Sequence, residues 1–191
     1  MIFGDPTIFA VESMITQAYE RLSFRALGFF VIHVSGRRYG VCEPDATMIA
    51  CSFDHIEKRI VERGEHVAPF ATECDAGKIA DSFRNAIYAE EPNEIFFGMT
   101  LDEFGPLFSR RLNDLMWAPD GDEAFDDGSY VLQFDVKNRV RLIAFRCKEG
   151  GLHDPNTLSD VWIPADDFYC VLQQWHDAFK SDWASMPKIS G

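Results

Sequence analysis

The sequence predicts an α+β domain in which helices pack on a largely antiparallel sheet. Three observations support this fold class. Apolar residues alternate with period two near both ends of the chain, helical stripes occupy the middle, and a further amphipathic stripe follows the last strands. Strands, helices, strands and a helix in that order favour an α+β fold over regular β–α alternation. No repeat, low-complexity tract or linker divides the sequence, so we predict a single domain over residues 1–191.

The first part of this domain, about residues 1–42, is predicted to be a β-meander. Residues 9–19 place apolar side chains on one face at alternate positions, which is typical of a half-buried strand. Residues 24–34 (FRALGFFVIHV) form a denser apolar run that indicates a central strand. The pair Ser35-Gly36 predicts a turn, and residues 37–42 then supply the hairpin partner.

The middle of the chain, about residues 52–116, is predicted to be helical. Capping-box spacing occurs at Asp54 to Glu57, at Thr72 to Asp75 and at Thr100 to Glu103, although Gly105-Pro106 weakens the third helix. Behind the first two caps, apolar residues recur at helical spacing. These stripes are Phe53, Ile56 and Ile60 in the first helix, and Ile79, Phe83 and Ile87 in the second.

The last part, about residues 129–184, is predicted to be a β-hairpin followed by a helix. Residues 129–147 alternate well, with Lys137-Asn138 as the two-residue turn. Trp162-Ile163 ends a short strand, and Pro164 fits the start of a helix. That helix carries an amphipathic stripe. Its members are Phe168, Leu172, Trp175 and Phe179.

Composition limits the classes of protein that the sequence can encode. With 47% hydrophobic and 14% aromatic residues, the chain can bury a core and is not disordered. No run approaches the roughly 18–20 apolar residues of a membrane span. The net charge of −13 repels nucleic acid and anionic membranes, so we expect neither as a partner, and attracts basic partners.

The location predicted from the sequence is the cytoplasm. Asp5 and Pro6 interrupt the opening stretch before an apolar signal segment could form. The five cysteines are odd in number and contain no CxxC pair, which favours free thiols in a reducing compartment. The oligomeric state stays open.

A catalytic function receives little support from motifs. The sequence contains no GxGxxG, GxxxxGK[ST], HExxH or GxSxG pattern, and no histidine pairs with another ligand at metal-binding spacing. We therefore predict that the protein is not an enzyme and has no metal or cofactor. The alternative enzyme hypothesis is a small hydrolase with a dispersed site, in which His153, Asp154 and a cysteine would cooperate.

The residues between Leu112 and Val136 include seven carboxylates and no Lys or Arg. A calcium loop is one interpretation, but Ala124 and Phe125 break the EF-hand pattern. A solvated loop is a second. The third is an acidic docking surface in which aromatic anchors accompany charges that steer a basic partner. Its candidate residues are Trp117, Asp120, Asp122, Glu123, Phe125, Asp126 and Asp127.

Four short motifs lie near the start of the chain: the opening residues 1–5, the strand start at 9–12, the Gly-Phe-Phe strand at 28–34 and the Gly-x-x-Tyr-Gly pattern at 36–40. A Trp-Ile-Pro sequence precedes the predicted C-terminal helix. Together these motifs resemble the immunity protein 42 family of bacterial polymorphic toxin systems. With this resemblance, the MIFGDP stretch is interpreted as the first edge of a scaffold sheet.

The resemblance implies an immunity protein that binds and neutralises a cognate toxin domain in the cytoplasm. It would act by stoichiometric occlusion, as in contact-dependent growth inhibition. The acidic charge favours a basic toxin, and many toxins of this kind are nucleases, whose clefts must hold phosphates. The alternative is an interaction or regulatory module with a different partner.

Overall fold

Two larger, mainly antiparallel sheets, a two-stranded hairpin and several helices form the described part of the chain, which comprises residues 1–87, 94–109, 115–117, 123–148 and 151–190 of a computed structural model. The strands are β1 (Ile2–Asp5), β2 (Phe9–Tyr19), β3 (Ala26–Val34), β4 (Arg37–Tyr39), β5 (Thr47–Met48), β6 (Ile95–Phe96), β7 (Met99–Thr100), β8 (Ser129–Val136), β9 (Arg139–Arg146), β10 (Ser159–Pro164) and β11 (Lys188–Ile189). The helices are α1 (Ala50–Val61), α2 (Ala76–Ile87), α3 (Leu101–Phe104), α4 (Pro106–Ser109) and α5 (Ala165–Ser185), and a 3₁₀ turn spans Glu123–Phe125.

The first sheet contains the predicted meander, with strand order β1-β2-β3-β4. β5 also pairs with β3, and β11 adds the parallel partner of β2. The predicted strand at residues 9–19 is confirmed with these bounds. The next strand begins at Ala26 rather than Phe24, because the amides of Phe24 and Arg25 donate to the carbonyl of Arg21 and close a turn there.

The opening residues form the edge strand that the sequence predicts. β1 lies at the end of the strand order and pairs antiparallel with β2. Gly4 has φ +93°, and a Cβ at this position would lie 2.4 Å from the carbonyl oxygen of Phe9. Glycine is therefore required where the chain leaves the edge strand and turns back.

The second sheet has the order β10-β9-β8, and its strands β8 and β9 are buried on both faces. β8 and β9 form the predicted hairpin, in which Val136 faces Arg139 across the turn at Lys137-Asn138. Because successive side chains of a strand point to opposite faces, β8 and β9 each contribute residues to two hydrophobic clusters. Val131 and Leu142 pack in the first cluster, and Phe134 in the second.

The helices are present, but two begin away from their predicted caps. α1 starts at Ala50, so Asp54 lies within the helix, where its carboxylate is 3.1 Å from Arg25. α2 starts after Asp75, whose side chain accepts a hydrogen bond of 2.9 Å from the amide of Lys78. The third cap is confirmed, since Glu103 accepts the amide of Thr100 at 2.8 Å. The segment also contains the hairpin β6–β7, which the helical prediction missed.

Helix α5 closes the first hydrophobic cluster against the first sheet. All four members of its predicted stripe are at most 1% exposed, which confirms the stripe. The second cluster lies on the other face of the second sheet and is rich in phenylalanine, with Phe70, Phe83, Phe104 and Phe134 in ring contact. Among the described residues, no helix is long and apolar enough to cross a bilayer.

Candidate functional site

The acidic segment predicted as a docking surface lies around the 3₁₀ turn Glu123–Phe125 and leads into β8. Asp120 and Asp122 lie outside the described residues. The remaining candidates divide into buried aromatic residues, a carboxylate bound within the fold and carboxylates that reach solvent.

Trp117 belongs to the hydrophobic core. Its side chain is 2% exposed and packs edge-on against Phe9 and Phe168, with ring centroids 6.4 and 6.1 Å away. The indole N–H donates to the side chain of Gln133 at 3.2 Å, and the guanidinium of Arg59 lies 4.7 Å from the ring centroid. The prediction of a surface anchor at Trp117 is therefore corrected, because a side chain enclosed in this way offers no area to a partner.

Phe125 is corrected for the same reason. It is 6% exposed and packs edge-on against Phe30 at 6.3 Å, while its neighbour Ala124 is fully buried. The 3₁₀ turn inserts these two residues into the first cluster. Sequence spacing alone could not show that Phe125 is buried, because a short apolar pair in an acidic loop is equally compatible with a surface anchor and with packing in the core.

Asp127 ties the acidic segment to the rest of the fold. Its carboxylate accepts hydrogen bonds from the amides of Gly40 and Ser129, at 3.3 and 3.1 Å, and from Nε of Arg146 at 3.0 Å. With its charge engaged in these contacts, Asp127 positions the segment and is a poor choice for charge reversal.

Glu123 and Asp126 are exposed and stand beside a second acidic segment. The amide of Val41 donates to the carbonyl of Ala124 at 2.8 Å, which brings the loop after β4 against the 3₁₀ turn. This loop carries the exposed residues Glu43 and Asp45, and β5 behind it also contacts the turn. We call Glu43, Asp45, Glu123 and Asp126 the acidic surface. The loop residues were missed because they lie about eighty positions from the turn in sequence.

A buried polar network surrounds Asp135 near the end of β8. Oδ2 of Asp135 accepts from the amide of Gly64 at 2.8 Å and from Nδ1 of His66 at 3.0 Å. The hydroxyl of Tyr169 lies 2.9 Å from both oxygens of the same carboxylate. Gln133 links this group to Trp117 by accepting its indole N–H. The network therefore joins the loop after α1, strand β8 and the start of α5.

Burial and the contacts within this network shift the pKa values of Asp135 and Tyr169. Burial by itself raises the pKa of Asp135, but the hydrogen bonds and charge of His66 and the hydroxyl of Tyr169 outweigh burial, so the pKa lies below its ordinary value of 3.8. Burial raises the pKa of Tyr169 strongly, and the negative charge of Asp135 raises it further. The Asp135 carboxylate thus stays ionised and accepts hydrogen bonds, while the Tyr169 phenol stays neutral and donates one.

The residues of the alternative enzyme hypothesis lie at one end of α2. His153 pairs with Asp81 at 2.6 Å rather than with Asp154, whose carboxylate faces Lys148 and Asn156. His153 and Asp81 line a cleft of about 550 Å³. Cys147 pairs with His153 through a backbone bridge, but burial raises the pKa of its thiol.

A raised thiol pKa is the reverse of what a nucleophilic cysteine needs. The cleft therefore contains an oriented histidine without an activated thiol beside it. Among the described residues, no group of three or more His, Cys, Asp or Glu side chains is arranged to hold a metal ion.

The family model of immunity protein 42 matches residues 1–178 of the 191-residue chain. The chain belongs to the immunity protein 42 family. The resemblance carried by the opening residues and the Gly-Phe-Phe strand is confirmed by this match. No curated protein matches the chain.

The fold of this family member is also similar to that of CdiI from Burkholderia dolosa. The TM-score is 0.55 at 14% sequence identity, over 93% of this chain and 99% of the CdiI chain in its crystal structure. At this identity the likeness shows the fold alone. Family membership identifies the chain as an immunity protein.

We expect the pH dependence of this immunity protein's stability to include an acid limb from Asp135. Because the pKa is lowered in the folded chain, the stabilisation is present above the ordinary value of 3.8 and is lost as pH falls through the lower folded value. A ¹³C NMR titration of the side-chain carboxyl measures the midpoint, with a short peptide around Asp135 as the unfolded reference. A folded midpoint at or above that of the peptide would contradict this expectation.

Proposed function

We propose that this immunity protein 42 family member acts in the cytoplasm, where it binds a cognate toxin domain and blocks it by stoichiometric occlusion. We further propose that the toxin domain is basic and is a nuclease. Family membership and the fold shared with CdiI support the binding of a toxin. The net charge of −13 supports a basic toxin domain.

The acidic surface is the observation that carries this proposal. Two segments distant in sequence are hydrogen-bonded together, and each carries two exposed carboxylates close to that contact in sequence. Asp120 and Asp122 belong to the same segment, and we include them in the proposed contact region. Phe125 anchors the 3₁₀ turn in the first hydrophobic cluster, to which Trp117 also belongs.

A basic nuclease is the kind of toxin that such a surface fits best. The active cleft of a nuclease carries positive charge to hold phosphates. An acidic inhibitor gains association rate and specificity from the complementary potential, and the net charge of −13 extends that attraction beyond the contact area. Binding alone would then block the cleft, without any chemistry by the immunity protein.

The proposal is tested first by co-purification with the tagged toxin domain encoded beside its gene. We expect a one-to-one complex that survives the column, and rescue of cells that express the toxin. Loss of toxin nuclease activity in the complex, measured on a labelled substrate, tests occlusion. Absence of a complex and of rescue would contradict the proposal and favour a different partner.

Reversing the charge of the acidic surface should weaken toxin binding. We expect Glu123→Lys with Asp126→Lys to lower the association rate constant roughly tenfold or more at low salt, because the variant loses steering charge. The difference should shrink near 1 M salt, where the screening length is about 3 Å. Stopped-flow association over a salt series measures both effects.

A matched control separates the surface from the total charge. Asp167→Lys with Asp182→Lys makes the same change in net charge at exposed positions of α5. We expect this variant to bind with a smaller loss of rate. Equal losses in the two variants would show that only net charge matters and would remove the acidic surface from the proposal.

A further inference from the structure

A small cleft beside the acidic surface is lined by arginines, which is unusual in a chain with a net charge of −13. The cleft has a volume of about 360 Å³ and lies between β4, the end of β9 and the loop before β10. Its lining residues are Arg37, Arg38, Tyr39, Arg146 and Thr157.

Most polar groups of this cleft are engaged within the fold. The hydroxyl of Tyr39 donates to the carbonyl of Thr157 at 2.6 Å and lies 2.7 Å from the hydroxyl of Ser159. Arg146 donates through Nη2 to the carbonyl of Arg38 at 2.7 Å and through Nε to Asp127. These contacts fix the walls of the cleft and the position of the Arg146 guanidinium.

Arg37 supplies charge that these internal contacts leave uncompensated. Its side chain is exposed, and in the described parts of the chain no carboxylate forms an ion pair with it. Burial raises the pKa of Tyr39, while the positive charges of Arg37 and Arg146 both act to lower it. Both guanidiniums are therefore close enough to influence the same phenol from the cleft.

The cleft adjoins the acidic surface through Asp127. This residue follows Asp126 directly, and its carboxylate binds both the amide of Gly40 and Arg146. A positive site thus lies next to the negative surface. A partner that covers both the acidic surface and the cleft would therefore contact both signs of charge.

We propose that this cleft is an anion subsite that receives a carboxylate side chain of the toxin. The inference rests on the proposed function. A guanidinium offers paired N–H donors that match a carboxylate. The Arg37 side chain is exposed, and no carboxylate of the described residues pairs with it. A polyanion such as nucleic acid is disfavoured because the chain as a whole repels it.

The subsite would fix the orientation of the toxin on the immunity protein. Toxins that place a basic residue opposite the cleft are repelled by Arg37 and Arg146, so the subsite also rejects wrong partners. The net negative charge of the chain attracts any basic protein. A positive site next to the acidic surface instead favours a toxin that places a carboxylate opposite the cleft and basic residues opposite the acidic surface.

The test uses a substitution for which the subsite and the net charge predict opposite changes in toxin affinity. Arg37→Gln makes the chain more acidic by one charge, so bulk attraction to a basic toxin can only increase. The subsite instead predicts an affinity about tenfold lower, because a charge-assisted hydrogen bond is lost. Calorimetric titration of the toxin domain into each variant measures the change. Lys137→Gln, at an exposed hairpin turn, is the matched control and should not lose affinity.

A charge swap identifies the ligand. We expect Arg37→Glu to weaken toxin binding and one Asp or Glu→Arg substitution on the toxin to restore it. Equal affinity of the wild-type chain and Arg37→Gln would overturn the subsite and leave the proposed function standing, whereas no binding by the wild-type chain would overturn both. A DNA oligonucleotide retained by the wild-type chain and lost by Arg37→Gln, with toxin affinity unchanged, would assign the cleft to phosphate and overturn the carboxylate proposal.

Discussion

Replacing Trp117 by alanine is expected to lower the free energy of unfolding by about 3–5 kcal/mol. The ring is 2% exposed, and its removal leaves a cavity between Phe9 and Phe168. The substitution also removes the indole donor to Gln133. Urea unfolding followed by circular dichroism measures the change in stability.

Two further measurements separate a core role from a surface role for Trp117. Trp117→Phe keeps an aromatic ring in the core but loses the indole hydrogen bond and part of the buried volume, so we expect a smaller loss, on the order of 1–2 kcal/mol. Toxin affinity is measured well below the unfolding midpoint of each variant. A Trp117→Ala variant with wild-type stability and reduced toxin affinity would restore the surface-anchor hypothesis and contradict the core assignment.

Replacing Asp135 by alanine is expected to destabilise the fold by a similar amount, about 3–5 kcal/mol. The carboxylate is 7% exposed and accepts hydrogen bonds from Gly64, His66 and Tyr169. Removal of the carboxylate leaves these donors without a hydrogen-bond acceptor wherever water does not reach them to take its place. The measurement is again the free energy of unfolding in urea at neutral pH.

The exposed Asp167 provides the control for this loss. It lies in the first turn of α5, and we expect Asp167→Ala to cost less than about 1 kcal/mol, mainly through the helix dipole. If Asp135→Ala were no more destabilising than Asp167→Ala, the network would not bind the loop after α1 to β8 and α5 as we infer.

Local pattern in the sequence was sufficient for most of the strands and for the last helix. Apolar and polar side chains alternate over residues 9–19 because one face of β2 packs on α5. The stripe from Phe168 to Phe179 records the matching face of α5. Helix starts were less accurate, because Ser, Thr and Asp also occur inside helices and turns, as Asp54 does in α1.

Local pattern could not separate surface from core in the acidic segment. Trp117 and Phe125 are short apolar insertions with no period, so their burial depends on what the rest of the chain places over them. The network around Asp135 was missed for a related reason. His66 and Asp135 are 69 residues apart, and neither position carries a local signal of the other.

The sequence by itself determined the α+β class, the edge strand, the acidic character and the family of this protein, since each depends on composition or on short-range order along the chain. Tertiary structure decided which charges are available to a partner. It engaged Asp127 with Arg146, joined the loop after β4 to the 3₁₀ turn through Val41 and Ala124, and left Arg37 facing an open cleft. Electrostatic and packing contacts act through space, so these pairings follow from how the sheets and loops meet.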